Sequence, residues 1–349
     1  MLKHSVLSLS LAISMTVSAT QPPQTLSVPE KSLPLPQAAS HALQSAIAQS
    51  SIPDKKTLID ATPQTDDAWR DFIWATNAEQ KKKIKKMRKQ FDVDVELIKL
   101  DSVTIRVLTP KQLSTEFTDK VYLDVHGGAY VLFAGLPSIE EGLIVAHRLG
   151  IKVISVDYRM PPSHPFPVAL NDVMAAYDYV LQNYRAENVF MGGTSAGGGL
   201  VLSTIQSLIE QNKPLPKAVY AGTPWADLTK TGDTQTTNEM IDRILMTYDG
   251  TLKGAANLYA GQAPLTDPRV SPMYGEFSSF PPTMLVSGTR DMFLSDTVRV
   301  NRKLRDAGTE TLLEVYEGMS HADYLVVYES PESESVYRQL KQFLIKHGG

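Results

Sequence analysis

Residues 189–200 read Val189-Phe190-Met191-Gly192-Gly193-Thr194-Ser195-Ala196-Gly197-Gly198-Gly199-Leu200. An apolar strand pattern passes through Gly-x-Ser-x-Gly directly into an apolar helix pattern, with Ser195 at the centre. This context predicts a tight strand-to-helix turn that exposes the Ser195 hydroxyl. Because glycine has no Cβ, the flanking positions can pass close to neighbouring backbone. The following helix N-terminus would add N–H donors and a positive dipole end.

The same glycines also suggest a phosphate-binding loop. Gly192 and Gly197 have the spacing of that motif, but Gly198 stands where the motif requires lysine. The sequence therefore favours a nucleophilic serine over a phosphate site.

Short apolar runs alternate with helical stretches on both sides of Ser195. A hairpin is predicted from alternating residues at 93–97 and 103–107, around Leu100-Asp101-Ser102. Further strands are predicted at 121–125, 153–156, 189–191, 218–221, 284–286 and 312–316. Helices are predicted at 140–149, 168–183, 200–211 and 298–307. This alternation indicates an α/β protein with a mostly parallel central sheet and helices on both faces.

Two regions lie outside this alternation. Residues 229–274 separate two predicted strands and are far longer than an ordinary crossover, so we expect an inserted lid. Residues 38–90 have a helical pattern that includes a lysine-rich run at 81–89. Ile84, Met87 and Phe91 place one apolar stripe on that helix, which favours a solvated helix over a nucleic-acid or membrane patch.

Residues 1–19 have the pattern of an export signal. Lys3 and His4 precede an apolar stretch, and Val17-Ser18-Ala19 is a small-x-small cleavage site. The apolar run is too short for a membrane span, which needs about 20 residues. We expect cleavage after Ala19 and export to the periplasm or the medium. Residues 20–37 are rich in proline and are predicted to form an extended linker.

Composition excludes several classes of function. The 349 residues are 42% hydrophobic, enough for a sizeable core. With 34 Lys and Arg against 38 Asp and Glu, the net charge of −4 gives no electrostatic support for nucleic-acid binding. The chain has no cysteine, which excludes disulfides, thiolate metal sites and a cysteine nucleophile.

A second motif ends the predicted strand at 121–125. His126-Gly127-Gly128-Ala129 allows backbone amides to converge without obstruction by side chains. Hydrolysis through a tetrahedral intermediate needs such amides to stabilise the oxyanion. We interpret His126 as a residue that shapes this loop and not as one that transfers protons.

A serine nucleophile also needs a base and an acid. Only His321 and His347 follow Ser195, and His347 lies near the chain end, so His321 is the predicted base. Asp291 comes just after a predicted strand and is the predicted acid, with Asp296 as the alternative. The order Ser195…Asp291…His321 is that of an α/β-hydrolase triad.

With these residues in place, the chain resembles the hormone-sensitive-lipase-like family of α/β-hydrolase esterases over residues 90–346. It looks most similar to the bacterial short-chain esterase and ε-lactone hydrolase branch. The resemblance depends on the motifs His126-Gly127-Gly128-Ala129, Asp157-Tyr158-Arg159…Pro162…His164-Pro165-Phe166-Pro167, Gly193-Thr194-Ser195-Ala196-Gly197-Gly198, Asp291 and Gly318-Met319-Ser320-His321.

This resemblance implies an α/β-hydrolase catalytic domain at 91–349, with a lid built from 38–90 and 229–274. It also implies an oxyanion hole formed by the backbone N–H groups of Gly128, Ala129 and Ala196. Ala129 departs from the family, which usually has glycine at this position, although its N–H remains available. No metal or organic cofactor is implied.

These observations together predict a serine carboxylesterase that acts on small to medium uncharged esters. Lactone, arylformamide and peptide hydrolysis remain alternatives on the same triad. A ligand-binding protein that kept the fold but lost the chemistry is the non-enzymatic alternative. The expected partner is a small-molecule ester, with no nucleic acid and no stable membrane span, and the oligomeric state stays open.

Overall fold

The computed structural model describes residue 26 and residues 32–348. The chain divides into two compact units, Met1–Pro34 and Leu35–Gly349. In the first unit, the few described residues have no regular secondary structure. The predicted signal peptide and most of the predicted linker lie outside the described residues. All the strands and helices that the structure describes belong to the second unit.

Eight strands form one sheet in the order β1-β2-β4-β3-β5-β6-β7-β8. Only β2 runs against its neighbours, and the remaining pairs are parallel. The strands are β1 (Val93–Lys99), β2 (Thr104–Pro110), β3 (Val121–Val125), β4 (Lys152–Asp157), β5 (Val189–Thr194), β6 (Ala218–Gly222), β7 (Thr283–Gly288) and β8 (Thr311–Tyr316). The predicted mostly parallel sheet and its hairpin are confirmed.

Eleven α-helices accompany the sheet in the described part of the chain. They are α1 (His41–Ala48), α2 (Lys55–Asp60), α3 (Asp66–Gln90), α4 (Glu140–Leu149), α5 (Val168–Leu181), α6 (Ala196–Glu210), α7 (Thr234–Thr237), α8 (Lys253–Ala260), α9 (Leu294–Asp306), α10 (Asp323–Val326) and α11 (Pro331–Gly348). None of the helices among the described residues is long and apolar enough to cross a membrane.

The core lies on both faces of the sheet because side chains alternate along each strand. On β3, Leu123 belongs to the cluster that packs α5, α6 and α9 on one face. Tyr122, its neighbour, belongs to the cluster that packs α4 and α11 on the other face. Since helices cover both faces, every residue of β3 is buried.

Two predicted helix starts are wrong by four residues. The helix predicted at 298–307 begins at Leu294, as α9, and the helix after Ser195 also begins earlier than predicted. We expected the helix after Ser195 to begin at residue 200, where the apolar helical pattern starts. Instead, α6 begins at Ala196, and Gly197, Gly198 and Gly199 are buried in its first turn. A Cβ on Gly198 would lie 3.0 Å from the Gly193 carbonyl oxygen, so close backbone packing accounts for glycine there better than helix propensity does.

The two segments predicted to form a lid, here called lid segments, are 38–90 and 229–274. The first contains α1 to α3, and the second contains α7, an irregular helical turn at Tyr248–Leu252 and α8. Lys55 of the first segment forms ion pairs with Glu239 and Asp249 of the second, at 2.9 Å and 3.0 Å. The two segments are therefore in direct contact.

The lysine-rich end of α3 is solvated, as predicted. Ile84 and Met87 are fully buried and Phe91 is nearly so, whereas most of the lysines are exposed. The apolar stripe attaches this helix to the core and leaves the cationic face in water.

Candidate active site

Ser195 occupies the tight turn between β5 and α6, with φ 64° and ψ −126°. A residue other than glycine in such a conformation costs on the order of 1–3 kcal/mol, so its surroundings must hold it. The Ser195 N–H donates to the Gly222 carbonyl at 2.8 Å, and the Ser195 carbonyl accepts from the Trp225 N–H at 3.0 Å. The strand ends of β5 and β6 thus clamp the turn.

Glycines let the His-Gly-Gly loop approach this turn. A Cβ on Gly127 would lie 2.8 Å from the Thr194 carbonyl oxygen, and one on Gly197 would lie 2.7 Å from the His126 carbonyl oxygen. Side chains at either position would separate the two motifs. Backbone therefore packs on backbone where the predicted oxyanion amides and Ser195 must meet.

Ser195, His321 and Asp291 form a continuous hydrogen-bonded chain. The Ser195 hydroxyl lies 2.8 Å from His321 Nε2, and His321 Nδ1 lies 3.1 Å from Asp291 Oδ1. Asp291 is fully buried and His321 is 3% exposed. Since a carboxylate can only accept, Nδ1 carries a proton, which leaves Nε2 free to accept the proton of Ser195.

Asp291 is held in its charged form by the groups around it. Burial alone would raise the pKa of Asp291, but the positive charge on protonated His321 and several hydrogen bonds lower it below its usual value. Ser287 Oγ donates to Oδ2 at 2.7 Å, and the Phe293 N–H donates to Oδ1 at 2.8 Å. The Thr223 hydroxyl also donates to Oδ2 and lies 3.0 Å from His321 Nδ1.

Thr223 and Ser287 were missed by the sequence analysis. Both lie at the ends of strands, but their distances along the chain from Ser195, Asp291 and His321 follow no motif. Only the order of β6 and β7 in the sheet brings their hydroxyls to the same carboxylate.

Asp296, the alternative acid, has a different environment. It lies on α9, and its Oδ2 accepts hydrogen bonds from the backbone N–H groups of Ala226 and Asp227 at 3.1 Å and 2.9 Å. Burial raises the pKa of Asp296 well above its usual value, and the nearby charge of Asp227 adds to this. The structure thus brings Asp291 to His321, while Asp296 holds the chain that follows β6.

Four residues of the loop after β3 have positive φ values. These are 105° at Gly128, 54° at Ala129, 62° at Tyr130 and 79° at Phe133. Among the described residues, no hydrogen-bond acceptor is found for the N–H groups of Gly128, Ala129 and Ala196. Ala196 follows Ser195 directly, and a Cβ on Gly127 would lie 3.3 Å from the Ser195 Cβ, so these amides are the candidates for an oxyanion site.

Side chains from several elements hold this loop in place. The Tyr130 hydroxyl donates to the Trp225 carbonyl at 3.0 Å, and the Gly135 N–H donates to Asp157 Oδ1 at 2.8 Å. The Phe133 N–H donates to Oδ1 of Asn77 at 2.7 Å. Because Asn77 lies on α3, the first lid segment takes part in shaping the loop.

His126 is buried at the base of this loop. Its Nδ1–H donates to the Gly127 carbonyl at 2.7 Å, and its ring stacks on Tyr158 with 4.1 Å between centroids. Burial lowers the pKa of His126 to about 4, so the imidazole is neutral at neutral pH. These contacts agree with a residue that shapes the loop.

Apolar side chains of both lid segments pack around the loop after β3. Ala129 lies in a cluster with Trp69, Ile73 and Phe72 of α3 and Leu258 of α8. Phe293 meets His321 edge-on, with ring centroids 4.9 Å apart. The surface beside Ala129 and the His321 ring is therefore mainly apolar.

A cavity of about 520 Å³ opens beside α3. Its lining includes Trp74, Val131 and Arg159, but none of the residues of the Ser195–His321–Asp291 chain. This cavity adjoins the loop after β3 and is not lined by Ser195. In the part of the chain that the structure describes, no cluster of three or more His, Asp or Glu residues could hold a metal ion.

Two buried carboxyl groups lie near β5, the strand that leads into Ser195. Glu141 of α4 accepts from the Thr194 hydroxyl at 2.8 Å, and Asp124 of β3 accepts from the Ser155 hydroxyl at 2.6 Å. Burial raises the pKa of Glu141 to about 8, with a further contribution from the charge of Asp124. Burial likewise raises the pKa of Asp124 to about 7.

We expect Glu141→Gln to make thermal stability less dependent on pH. Between the ordinary pKa of 4.5 and about 8, the unfolded chain releases a proton that folded Glu141 keeps. The free energy of unfolding therefore falls as the pH rises through this window, and glutamine removes that loss. The drop in Tm from about pH 5 to about pH 8.5 should shrink by roughly 3 °C or more. Glu187→Gln, at an exposed position, is the control, and an unchanged drop would show that Glu141 is ionised in the folded protein.

Comparisons with known proteins agree with this geometry. A family model described as the alpha/beta hydrolase fold matches residues 122–325. An acetyl-hydrolase of Streptomyces hygroscopicus is 32% identical over 225 residues, which cover 63% of this chain and 74% of that protein.

Two solved structures extend the similarity. An esterase designated E25 has 39% sequence identity and a TM-score of 0.90, and the match covers 93% of this chain and 99% of that one. An esterase from the bacterial hormone-sensitive lipase family has 26% identity and a TM-score of 0.75, with 89% of this chain and all of that chain covered. The resemblance predicted from the motifs is confirmed: the chain belongs to the α/β-hydrolase fold family and is an esterase of the hormone-sensitive-lipase-like kind.

Proposed function

We propose that this carboxylic ester hydrolase is a serine esterase that works through an acyl-enzyme on Ser195. The observation that carries the proposal is the buried chain from Ser195 Oγ through His321 to Asp291, with spacings of 2.8 Å and 3.1 Å. The 2.8 Å distance allows proton transfer from Ser195 to His321 without rearrangement, and the 3.1 Å hydrogen bond to Asp291 orients the imidazole ring.

In the first half-reaction, Ser195 Oγ attacks the ester carbonyl carbon while His321 Nε2 takes its proton. Asp291 accepts from Nδ1–H, keeps the ring oriented and stabilises the imidazolium. The tetrahedral intermediate then collapses as Nε2 returns the proton to the leaving alcohol oxygen. Water, deprotonated by the same nitrogen, attacks the acyl-enzyme. The second tetrahedral intermediate collapses as Nε2 returns the proton to Ser195 Oγ, which releases the acid and free Ser195.

The negative oxygen of each intermediate would be held by the N–H groups of Gly128, Ala129 and Ala196. Their amides have no partner among the described residues, so no existing hydrogen bond must break before they bind the oxyanion. Ala196 is also the first residue of α6, so the positive end of the helix dipole would further stabilise the oxyanion.

The proposed substrates are small to medium uncharged esters. The aromatic and aliphatic lid side chains beside Ala129 support apolar acyl or alcohol groups, since a charge there would lose its hydration. The name of the Streptomyces relative, acetyl-hydrolase, supports a short acyl group.

The proposal is tested with purified protein and p-nitrophenyl esters of increasing acyl length. We expect a pre-steady-state burst of p-nitrophenol close to one equivalent wherever deacylation is the slower step. A panel of ε-lactones, aryl formamides and peptides tests the other uses of the triad. A higher kcat/KM on a lactone or formamide than on every ester would replace the proposed substrate class, and no turnover at all would leave a binding protein.

Ala129 offers a separate test of the oxyanion site. In Ala129→Gly the N–H donor remains and the φ of 54° becomes easier to adopt, so kcat should stay within roughly tenfold of wild type. Ala129→Pro removes the N–H and restricts φ to negative values, so kcat should fall by about 100-fold or more. A folded proline variant, verified by circular dichroism, with near-normal kcat would remove Ala129 from the oxyanion site.

We also propose export, with support from residues 1–19 of the sequence alone. Expression of the full chain in a bacterial host followed by cell fractionation tests this. Intact mass of the exported protein should correspond to a chain that begins at Thr20. Recovery of only uncleaved protein in the cytoplasm would contradict the proposal.

A further inference from the structure

The second lid segment contacts both loops that carry the acid and the base. We call residues 238–243 the bracing segment. Asn238 Nδ2 donates to the carbonyl oxygen of Asp291 at 2.8 Å and to that of Thr289 at 3.2 Å. Arg243 N–H donates to the Ser320 hydroxyl at 3.2 Å, next to His321. One short stretch of lid thus reaches the loop after β7 and the loop after β8.

Asp242 makes the central contacts of the bracing segment. Its Oδ2 accepts from the N–H of Met292 at 2.9 Å and from the N–H of His321 at 3.3 Å. Its Oδ1 accepts from the N–H groups of Ile244 and Leu245, at 2.9 Å and 3.1 Å. A single carboxylate oxygen therefore joins the residue after Asp291 to the backbone of His321.

We propose that Asp242 is a positioning residue: it sets the separation of Asp291 and His321 and adds a second negative charge beside the His321 imidazolium. Asn238 assists by fixing the carbonyl of Asp291. This inference rests on the proposed serine esterase function and assigns part of the triad geometry to the lid.

The two loops that carry Asp291 and His321 follow different strands. Asp291 follows β7 and His321 follows β8, and the side-chain contact between them is long, at 3.1 Å. Backbone hydrogen bonds to a shared buried acceptor restrict how far the loops can separate. A displacement of about 1 Å between catalytic groups can cost about 100-fold in rate.

The charged groups that face Asp242 determine its electrostatic effect on His321. Asp291 and His321 face it from the two loops, and Arg243 is already paired with Asp323. Burial raises the pKa of Asp242 to about 6, the charge of Asp291 adds to this, and His321 offsets part of it. At pH 8 the carboxylate is therefore charged, in a buried place where charge acts strongly on its neighbours.

A structural role alone is the competing explanation, because Asp242 also caps its own turn through Ile244 and Leu245. That role predicts a loss of stability with unchanged kcat and pH profile in the variants that still fold. The positioning role predicts changes in kcat and in the pH profile while KM stays nearly the same.

The test compares Asp242→Asn and Asp242→Ala with wild type, using an ester that wild type turns over. We expect kcat to fall by about 10- to 100-fold with KM within about threefold. Because less negative charge disfavours the imidazolium, the acidic limb of kcat/KM should move to lower pH by roughly half to one unit. Asp249→Asn is the matched control, since Asp249 lies in the same lid segment and pairs with Lys55 and Lys230, away from both loops.

Asn238→Ala keeps the test decisive if both Asp242 variants fail to fold. It should lower kcat by about 3- to 10-fold without changing KM, because it removes the hydrogen bonds that hold the carbonyl groups of Thr289 and Asp291. Unchanged kcat and pH profile in folded Asp242 variants, or unchanged kcat in Asn238→Ala, would overturn the inference. Failure of the proposed function is seen separately, as absence of a phosphonate adduct on Ser195 in wild-type protein.

Discussion

Ser195→Ala is expected to lower kcat on p-nitrophenyl esters by about 10⁴- to 10⁶-fold. The substitution removes the attacking Oγ, which lies 2.8 Å from His321 Nε2, and leaves no other hydroxyl in its place. Tm should change little, because alanine has the same left-handed strain at φ 64° and keeps the backbone hydrogen bonds of the turn.

Mass spectrometry after reaction with an organophosphonate checks the same assignment. One adduct should appear on Ser195 in wild type and none in Ser195→Ala. Ser207→Ala is the control, since Ser207 is a buried serine further along α6. An adduct on another serine, or near-normal kcat in a folded Ser195→Ala protein, would remove Ser195 as the nucleophile.

Asp291→Asn is expected to lower kcat by about 10³- to 10⁴-fold. The carboxylate accepts from His321 Nδ1–H, and an amide that turns its NH₂ toward the ring would favour the tautomer in which Nε2 carries the proton. His321 could then no longer accept the proton of Ser195. The loss should be in kcat, because Asp291 is fully buried and has no place in binding the ester.

Asp296→Asn is the matched comparison and should keep kcat within about tenfold. Its raised pKa favours the neutral acid, and the amide oxygen can still accept from Ala226 and Asp227. Both variants are measured at the same pH after circular dichroism and Tm have verified folding. Equal losses, or a larger loss in Asp296→Asn, would show that the acid is wrongly assigned.

The fold and the main candidate residues were predictable from local pattern. Strand and helix periods along the chain indicated the parallel sheet, because burial on both faces produces continuous apolar strands. Gly-x-Ser-x-Gly between a strand and a helix pointed to Ser195 as the candidate nucleophile, since such a turn needs glycines on both sides of the serine. His321 followed because few histidines come after Ser195 in the chain.

The start of α6 and the choice of acid needed more than local pattern. Glycine has a low helix propensity, so Gly197–199 do not predict a helix. They are helical because the first turn of α6 packs closely against β3, β5 and the chain after β6. Asp291 and Asp296 are five residues apart and both buried, so burial alone does not separate them. Their hydrogen-bond partners distinguish them, because Asp291 contacts His321 and Asp296 accepts from the backbone of Ala226 and Asp227.

The sequence by itself determined the class of fold and pointed to the candidate nucleophile and the candidate oxyanion loop, because each depends on residues that are neighbours along the chain. Only the tertiary structure decided how the site is supported. Thr223, Asn77 and Asp242 come from a strand end and from both lid segments, and they meet the site through contacts between residues far apart in sequence. The spacing of residues along the sequence does not predict such contacts, since they arise from the order of strands in the sheet and from the packing of the lid segments.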